Sequence, residues 1–120
     1  MMISSRGRYA LRAMLDMVEH GGGEWLRLSD IAQRQQLSKK YLESIMAALS
    51  RADLVESAVG KSGGYRLTKA PEEYTVGSIL RLTEDSMAPV ACLEPGAKVC
   101  EHASECRTLT LWKGLDKVIN

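Results

Sequence analysis

The chain contains no phenylalanine and three prolines among its 120 residues. Leucine, alanine and methionine supply the apolar material instead, enough for a small core but not for a large enzyme cleft. No run of about 18 apolar residues occurs, which excludes a membrane-spanning helix. The opening residues, Met1-Met2-Ile3-Ser4-Ser5-Arg6, lack an apolar signal segment, so a cytoplasmic protein is expected, in a compartment where thiols stay reduced. The two histidines, His20 and His102, form no nucleophile–base pair of interpretable spacing, and catalysis is not expected. Cysteine is missing until position 92, and then occurs three times as Cys92-x7-Cys100-x5-Cys106.

Those three cysteines are the densest chemistry in the chain. An odd number cannot close into a disulfide framework, and the absence of Cys-x-x-Cys argues against a zinc ribbon or a thioredoxin-like site. Thiolates are soft donors suited to an iron–sulfur cluster, zinc or copper(I). A fourth donor could come from His102, Glu94, Glu101, Glu105, or from elsewhere, including a second chain. Cys106 is expected at the start of a helix, where the dipole favours its thiolate form.

The net charge of +1 is unevenly spread. Residues 1–70 hold eleven Lys/Arg against seven Asp/Glu, and residues 71–120 hold five against eight. A basic front half and an acidic back half suit a nucleic-acid face with a sensing apparatus elsewhere.

Apolar periodicity predicts a helix over residues 4–19, capped by Ser4 or Ser5, with Leu11, Met14, Leu15 and Val18 on one stripe and Gly21-Gly22-Gly23 as its stop. A short strand is expected at Trp25–Leu28. Ser29 then caps a short helix to about Gln35, and Ser38 caps another to about Ala52 with Leu42, Ile45, Met46 and Leu49 facing inward. Residues 54–59 and 65–67 read as a hairpin closed by Gly60-Lys61-Ser62-Gly63-Gly64. Thr75 begins a further helix, 86–105 is irregular, and the chain is helical again from Cys106. Leu111, Trp112, Leu115 and Ile119 give that last helix an apolar face that must be buried, most economically against a second subunit.

Two short helices, a tight connection and a hairpin make a mainly α fold with a small β-wing: a winged helix-turn-helix at about Leu28–Arg51 with its wing at about 55–67. One domain is expected over residues 1–85, a cysteine-containing sensor loop over 86–105, and a dimerisation helix over 106–120. The second helix of the pair would enter a major groove about 12 Å wide. Lys39 and Lys40 sit at its N-terminus, where cations oppose the macrodipole, and phosphate contact accounts for them. Ser38 frames the same helix start, Tyr41 lies near it, and Glu43 could accept a hydrogen bond from a cytosine amino group. In the turn, Lys61 supplies charge, while the glycines, Gly63 among them, permit close approach to the sugar–phosphate wall, with Ser62 placed between them as a further DNA contact. Gly60-Lys61-Ser62 is not a phosphate loop, because Val55 stands where its first glycine would be and a strand follows instead of a helix.

Ser5-Arg6-Gly7-Arg8-Tyr9-Ala10-Leu11-Arg12-Ala13-Met14, Ile31-Ala32-Gln33-Arg34-Gln35, Leu37-Ser38-Lys39-Lys40-Tyr41-Leu42-Glu43, Leu54-Val55-Glu56-Ser57, Gly63-Gly64-Tyr65-Arg66-Leu67 and the three cysteines followed by Leu111-Trp112 together resemble the Rrf-type winged-helix regulators, the family of IscR-like and NsrR-like proteins. The resemblance covers essentially the whole chain. It implies a homodimeric transcription factor, usually a repressor, acting on a palindromic operator in double-stranded DNA. It further implies an iron–sulfur cluster on Cys92, Cys100 and Cys106, two-iron ahead of four-iron, that senses iron–sulfur, redox or nitric oxide status. Tyr41 and Glu43 match recognition-helix positions, and Gly60–Gly64 matches the wing. The chain departs from the pattern at both known fourth-ligand positions: Leu109 replaces the histidine of IscR-like members, and Arg8 replaces the acidic residue of some NsrR-like members. Val59 stands where IscR-like wings have arginine. Thiol-redox or zinc chemistry without a cluster therefore stays open, as does a cluster- or protein-binding module with no DNA role. The family's C-terminal region usually runs longer than the residues left after Trp112.

Overall fold

The computed structural model describes residues 3–60, 63–84, 86–89, 93 and 107–119. Helix α1 spans Ser5–Gly21, α2 Leu28–Gln35 and α3 Lys39–Arg51. Strands β1 (Val55–Ala58) and β2 (Gly64–Leu67) follow, then a 3-10 turn at Pro71–Glu73, α4 (Val76–Thr83) and α5 (Leu109–Ile119).

Local chemistry sets most of these boundaries. The Ser4 hydroxyl accepts from the Gly7 amide at 3.0 Å and starts α1, and Gly22 ends it in the left-handed conformation. Ser38 caps α3 through the Tyr41 amide at 3.0 Å, and Thr75 caps α4 through the Ser78 amide at 3.1 Å. Before α3, two boundaries differ from the sequence pattern. Helix α2 starts at Leu28 behind Arg27 and has no side-chain cap, so Ser29 lies inside its first turn. The expected strand at Trp25–Leu28 reduces to one bridge, in which Leu26 exchanges two backbone hydrogen bonds of 2.8 Å with Tyr65. Arg27 is still extended, but α2 begins at the next residue and ends the stretch that could pair.

The strands form an antiparallel hairpin in the register Val55↔Leu67, Glu56↔Arg66, Ser57↔Tyr65 and Ala58↔Gly64. Arg66 pairs with Glu56 across the hairpin and also covers the Trp25 ring, 4.3 Å from its centroid. The core joins Ala10, Ala13, Met14 and Met17 of α1, Ile31 and Ala32 of α2, Leu42, Ile45, Met46 and Leu49 of α3, Leu54 and Val55 at the hairpin, and Ile79 of α4. Three- and four-residue spacing places the α1 and α3 sets each on one helix face. Met14, Met17 and Met46 contribute to this core, their unbranched thioethers adapting to irregular gaps.

One charged side chain lies in this core. Asp16, 1% exposed, accepts from Arg34 Nε at 2.9 Å and Nη2 at 2.7 Å, and from Gln35 Nε2 at 2.9 Å. Burial opposes its charge, but the hydrogen bonds from Arg34 and Gln35 outweigh that, and its pKa falls below 3.8.

Helix α5 begins at Leu109, not at Cys106, with Arg107 and Thr108 in a turn before it; the Thr108 carbonyl accepts from the Trp112 amide at 3.0 Å. No residue of α5 is buried or belongs to the core. Leu111, Leu115 and Val118 are 62%, 41% and 83% exposed, so its apolar face is largely uncovered. The molecule measures 61 × 27 × 22 Å, with a radius of gyration of 17.7 Å. A compact chain of this length would have about 14 Å.

Candidate nucleic-acid interface

The connection between α2 and α3 is short because Gln36 takes the left-handed conformation (φ 55°) and Leu37 donates back to the Ala32 carbonyl at 3.0 Å. Leu37 packs on the core and anchors the turn. Ser38 then launches α3 with Ser38, Lys39, Lys40 and Glu43 exposed, because Leu42, Ile45, Met46 and Leu49 occupy the opposite face.

Tyr41 differs from its neighbours. It is half-buried, packs against the core and meets the Tyr9 ring edge-on at 5.8 Å and 88°. Tyr41 is thus held by α1 while part of it remains accessible at the start of α3.

Lys39 lines a cleft of about 480 Å³ with Arg27, Leu28 and Ser29 on one side and Ser57, Ala58, Val59, Gly60, Gly63, Gly64 and Tyr65 of the hairpin on the other. The structure therefore brings the starts of α2 and α3 and the described residues of the hairpin onto one concave surface. Burial raises the pKa of the Tyr65 phenol in the cleft, and the Glu43 charge adds to it, although Glu43 itself does not line the cleft. Val59 is fully exposed at the hairpin tip. Gly63 packs so closely on the Ala58 carbonyl that a Cβ there would lie 2.3 Å from its oxygen. Lys61 and Ser62 lie outside the described residues, as do Cys92, Cys100, Cys106 and His102.

Arg27 and Ser29 join the cleft although the residue pattern pointed to neither as a DNA contact. Ser29 reads as a cap, and Arg27 reads as part of a strand. Their placement depends on where α2 begins, which an absent side-chain cap leaves unmarked. Among the described residues no group of three or more His, Cys, Asp or Glu side chains could hold a metal ion, and no helix is long and apolar enough to cross a membrane.

A recognition-type helix beside a two-stranded wing, joined across one cleft, defines a winged-helix DNA-binding transcriptional regulator, a non-enzymatic class. The family model described as Rrf2, iron-dependent transcriptional regulator, matches residues 3–120, and the chain belongs to that family. It is 38% identical over 120 residues to the HTH-type transcriptional regulator IscR of Aliivibrio salmonicida, covering all of this chain and 70% of that protein. It is 38% identical over 112 residues to protein rrf2 of Nitratidesulfovibrio vulgaris, covering 93% of this chain and 74% of that protein. Among solved structures it resembles CymR, the global cysteine regulator of B. subtilis, with a TM-score of 0.78 and 32% identity over 99% of this chain and 89% of that one. It also resembles T. potens IscR, with a TM-score of 0.71 and 33% identity over 99% of this chain and 80% of that one.

Proposed function

We propose that the protein acts in the cytoplasm as a homodimeric repressor on a palindromic operator, and that its DNA affinity responds to iron–sulfur, redox or nitric oxide status at Cys92, Cys100 and Cys106. The observation that carries the DNA part is the cleft in which Lys39 at the start of α3 faces Gly60 and Gly63 of the wing. In this reading residues 1–85 bind DNA, 86–105 sense and 106–120 dimerise.

The α3 N-terminus, capped by Ser38, and the charges of Lys39 and Lys40 engage phosphate. Tyr41 and Glu43 face base edges, with Glu43 accepting from a cytosine amino group. Lys61, Ser62 and Gly63 bring the wing against the sugar–phosphate backbone. Val59 gives the wing tip an apolar side chain, so its charge rests on Lys61. The uncovered Leu111, Leu115 and Val118 face of α5 supports dimerisation, since a solvent-exposed stripe of this kind gains by pairing with its copy.

Three thiolates within fifteen residues fit an iron–sulfur cluster as far as three ligands go. The fourth ligand is not supplied by Leu109, which heads α5 and carries no donor atom, nor by Arg8, a cation in α1; His102 is the nearby candidate. Cys92, Cys100 and Cys106 would hold the cluster, which would supply redox and nitric-oxide reactivity, with a two-iron type ahead of a four-iron type. A second reading keeps the DNA site and uses the thiols directly, by reversible oxidation or with zinc. It is favoured by the missing donor at Leu109 and by the likeness to an oxidised form of Staphylococcus aureus CymR, 31% identical with a TM-score of 0.71.

Two measurements test these parts separately. Lys61→Ala should weaken binding to all duplexes and lower the slope of log affinity against log salt by about 1, whereas Glu43→Ala should relax sequence preference. Unchanged binding in both variants would remove the DNA assignment of these residues. Protein purified without oxygen should show visible absorption together with iron and sulfide; colourless protein free of both would leave the thiol reading in place.

A further inference from the structure

Tyr9, Arg12 and Asp16 follow one another at three- and four-residue spacing along α1, and all three reach the helix-turn-helix. Tyr9 meets Tyr41 at the start of α3. The Arg12 guanidinium lies 5.4 Å from the Tyr9 ring centroid, donates from Nε to the Gln35 side-chain oxygen at 3.1 Å, and donates from Nη2 to the Gln35 backbone carbonyl. Asp16 takes the other end of the same Gln35 amide and both faces of the Arg34 fork. Gln35 is the last residue of α2, immediately before the left-handed Gln36 on which the chain turns into α3. Both ends of its amide and its carbonyl are therefore committed to α1.

We propose that Arg12, Asp16, Arg34 and Gln35 are positioning residues for sequence recognition: they fix the angle at which the α2–α3 unit stands on α1, and hence how α3 enters the groove. The inference rests on the reading of α3 as the helix that meets base edges. The pair joins a buried Asp16 carboxylate to an Arg34 side chain that is 32% exposed, and such a pair adds little stability that apolar side chains of similar volume would not. It is a good device for orientation, because a bidentate arginine–carboxylate contact is satisfied in one geometry while packed aliphatic faces tolerate sliding. The angle matters because α3 is about 20 Å long. A tilt of about 10° would carry its end through about 3 Å, more than a base hydrogen bond tolerates. None of the four residues lines the cleft with Lys39, so they act through α3 and not on DNA.

The test uses the full chain and two duplexes: one selected by the parent protein from a random pool, and one of random sequence. Asp16→Leu/Arg34→Met should keep a thermal midpoint near the parent's and the same salt slope and affinity on random duplex. Its affinity for the selected duplex should fall by about tenfold, the size of one misplaced base contact. A selected-to-random ratio equal to the parent's would overturn the inference. So would an equal loss on both duplexes, the mark of a merely weakened fold. If the double variant does not fold, Gln35→Met carries the test at a half-buried position, with a reduced ratio expected and an unchanged one overturning it. A parent that selects no sequence would refute the reading of α3 itself, and this inference with it.

Discussion

Gly7→Ala places a methyl group where α1 receives a carboxylate from the far end of the DNA-binding domain. A single oxygen of Glu84, just past α4, accepts from the Ser4 amide at 3.0 Å and from the Ser4 hydroxyl at 2.9 Å. The same Ser4 oxygen accepts from the Gly7 amide and caps the helix. A Cβ at Gly7 would lie 2.2 Å from that Glu84 oxygen, 3.1 Å from Thr83 Oγ1 and 3.2 Å from Leu80 Cδ2. The carboxylate must retreat by about 1 Å to restore a normal separation, which breaks both bonds to Ser4. Charge-assisted hydrogen bonds contribute about 1.5–3 kcal/mol each, and this half-buried pair belongs at the low end. A further contribution of about 0.5 kcal/mol from the anion at the helix N-terminus is lost. The helix preference of alanine over glycine returns at most about 1 kcal/mol. The balance is a loss of about 2.5 kcal/mol, or about 10 °C in thermal midpoint for a chain of this size. Urea and thermal unfolding of Gly7→Ala, Glu84→Ala and the double variant measure it. With Glu84 removed, Gly7→Ala should become neutral or stabilising. Equal effects of Gly7→Ala in both backgrounds would show that the carboxylate does not hold α1, and would refute the reasoning.

Gly64→Ala meets backbone instead of a flexible side chain: its Cβ would lie 2.1 Å from the Leu26 carbonyl oxygen, and φ is +140°. The hairpin would part from Leu26, with a loss of about 2–4 kcal/mol and faster amide exchange at Leu26 and Tyr65. Tyr74→Phe removes a hydroxyl that donates to the Leu54 carbonyl at 2.7 Å and accepts from the Thr68 and Lys69 amides at 3.0 and 3.2 Å. Urea unfolding should show a loss of about 1–3 kcal/mol with unchanged helix content. Asp16 makes stability pH-dependent. Its folded pKa lies below the ordinary 3.8, so its contribution is full above about pH 4 and is lost as pH falls through the folded value. Asp16→Asn should flatten that acid limb of the urea midpoint; an equally steep limb in the variant would place the titrating group elsewhere.

Helix boundaries were legible where a short polar side chain performs the capping. Ser4, Ser38 and Thr75 each begin the helix that their residue type and the following apolar spacing indicate. The start of α2 was not, since Arg27 caps with backbone alone and Ser29 offered a more conventional choice. The Pro71–Glu73 turn likewise has no apolar period to announce it. For α5, apolar spacing marked a helix with an uncovered stripe, but its first residue is Leu109, so Cys106 precedes the helix instead of opening it.

On α3, composition and spacing alone place Lys39, Lys40 and Glu43 on the exposed side, because the opposite face is committed to the core. They also marked the wing, since glycines between two alternating segments admit little else. What they could not disclose is which distant residues meet. Arg27, Ser29 and Lys39 share a cleft with the hairpin only once α2 and α3 are packed, and Asp16 gains its donors only when packing brings Arg34 and Gln35 to it. Local preferences act over three or four residues and are written directly in the chain. A buried carboxylate with its donors 18 and 19 positions away, or a glycine shaped to a carboxylate across the domain, exists only when packing has closed the distance.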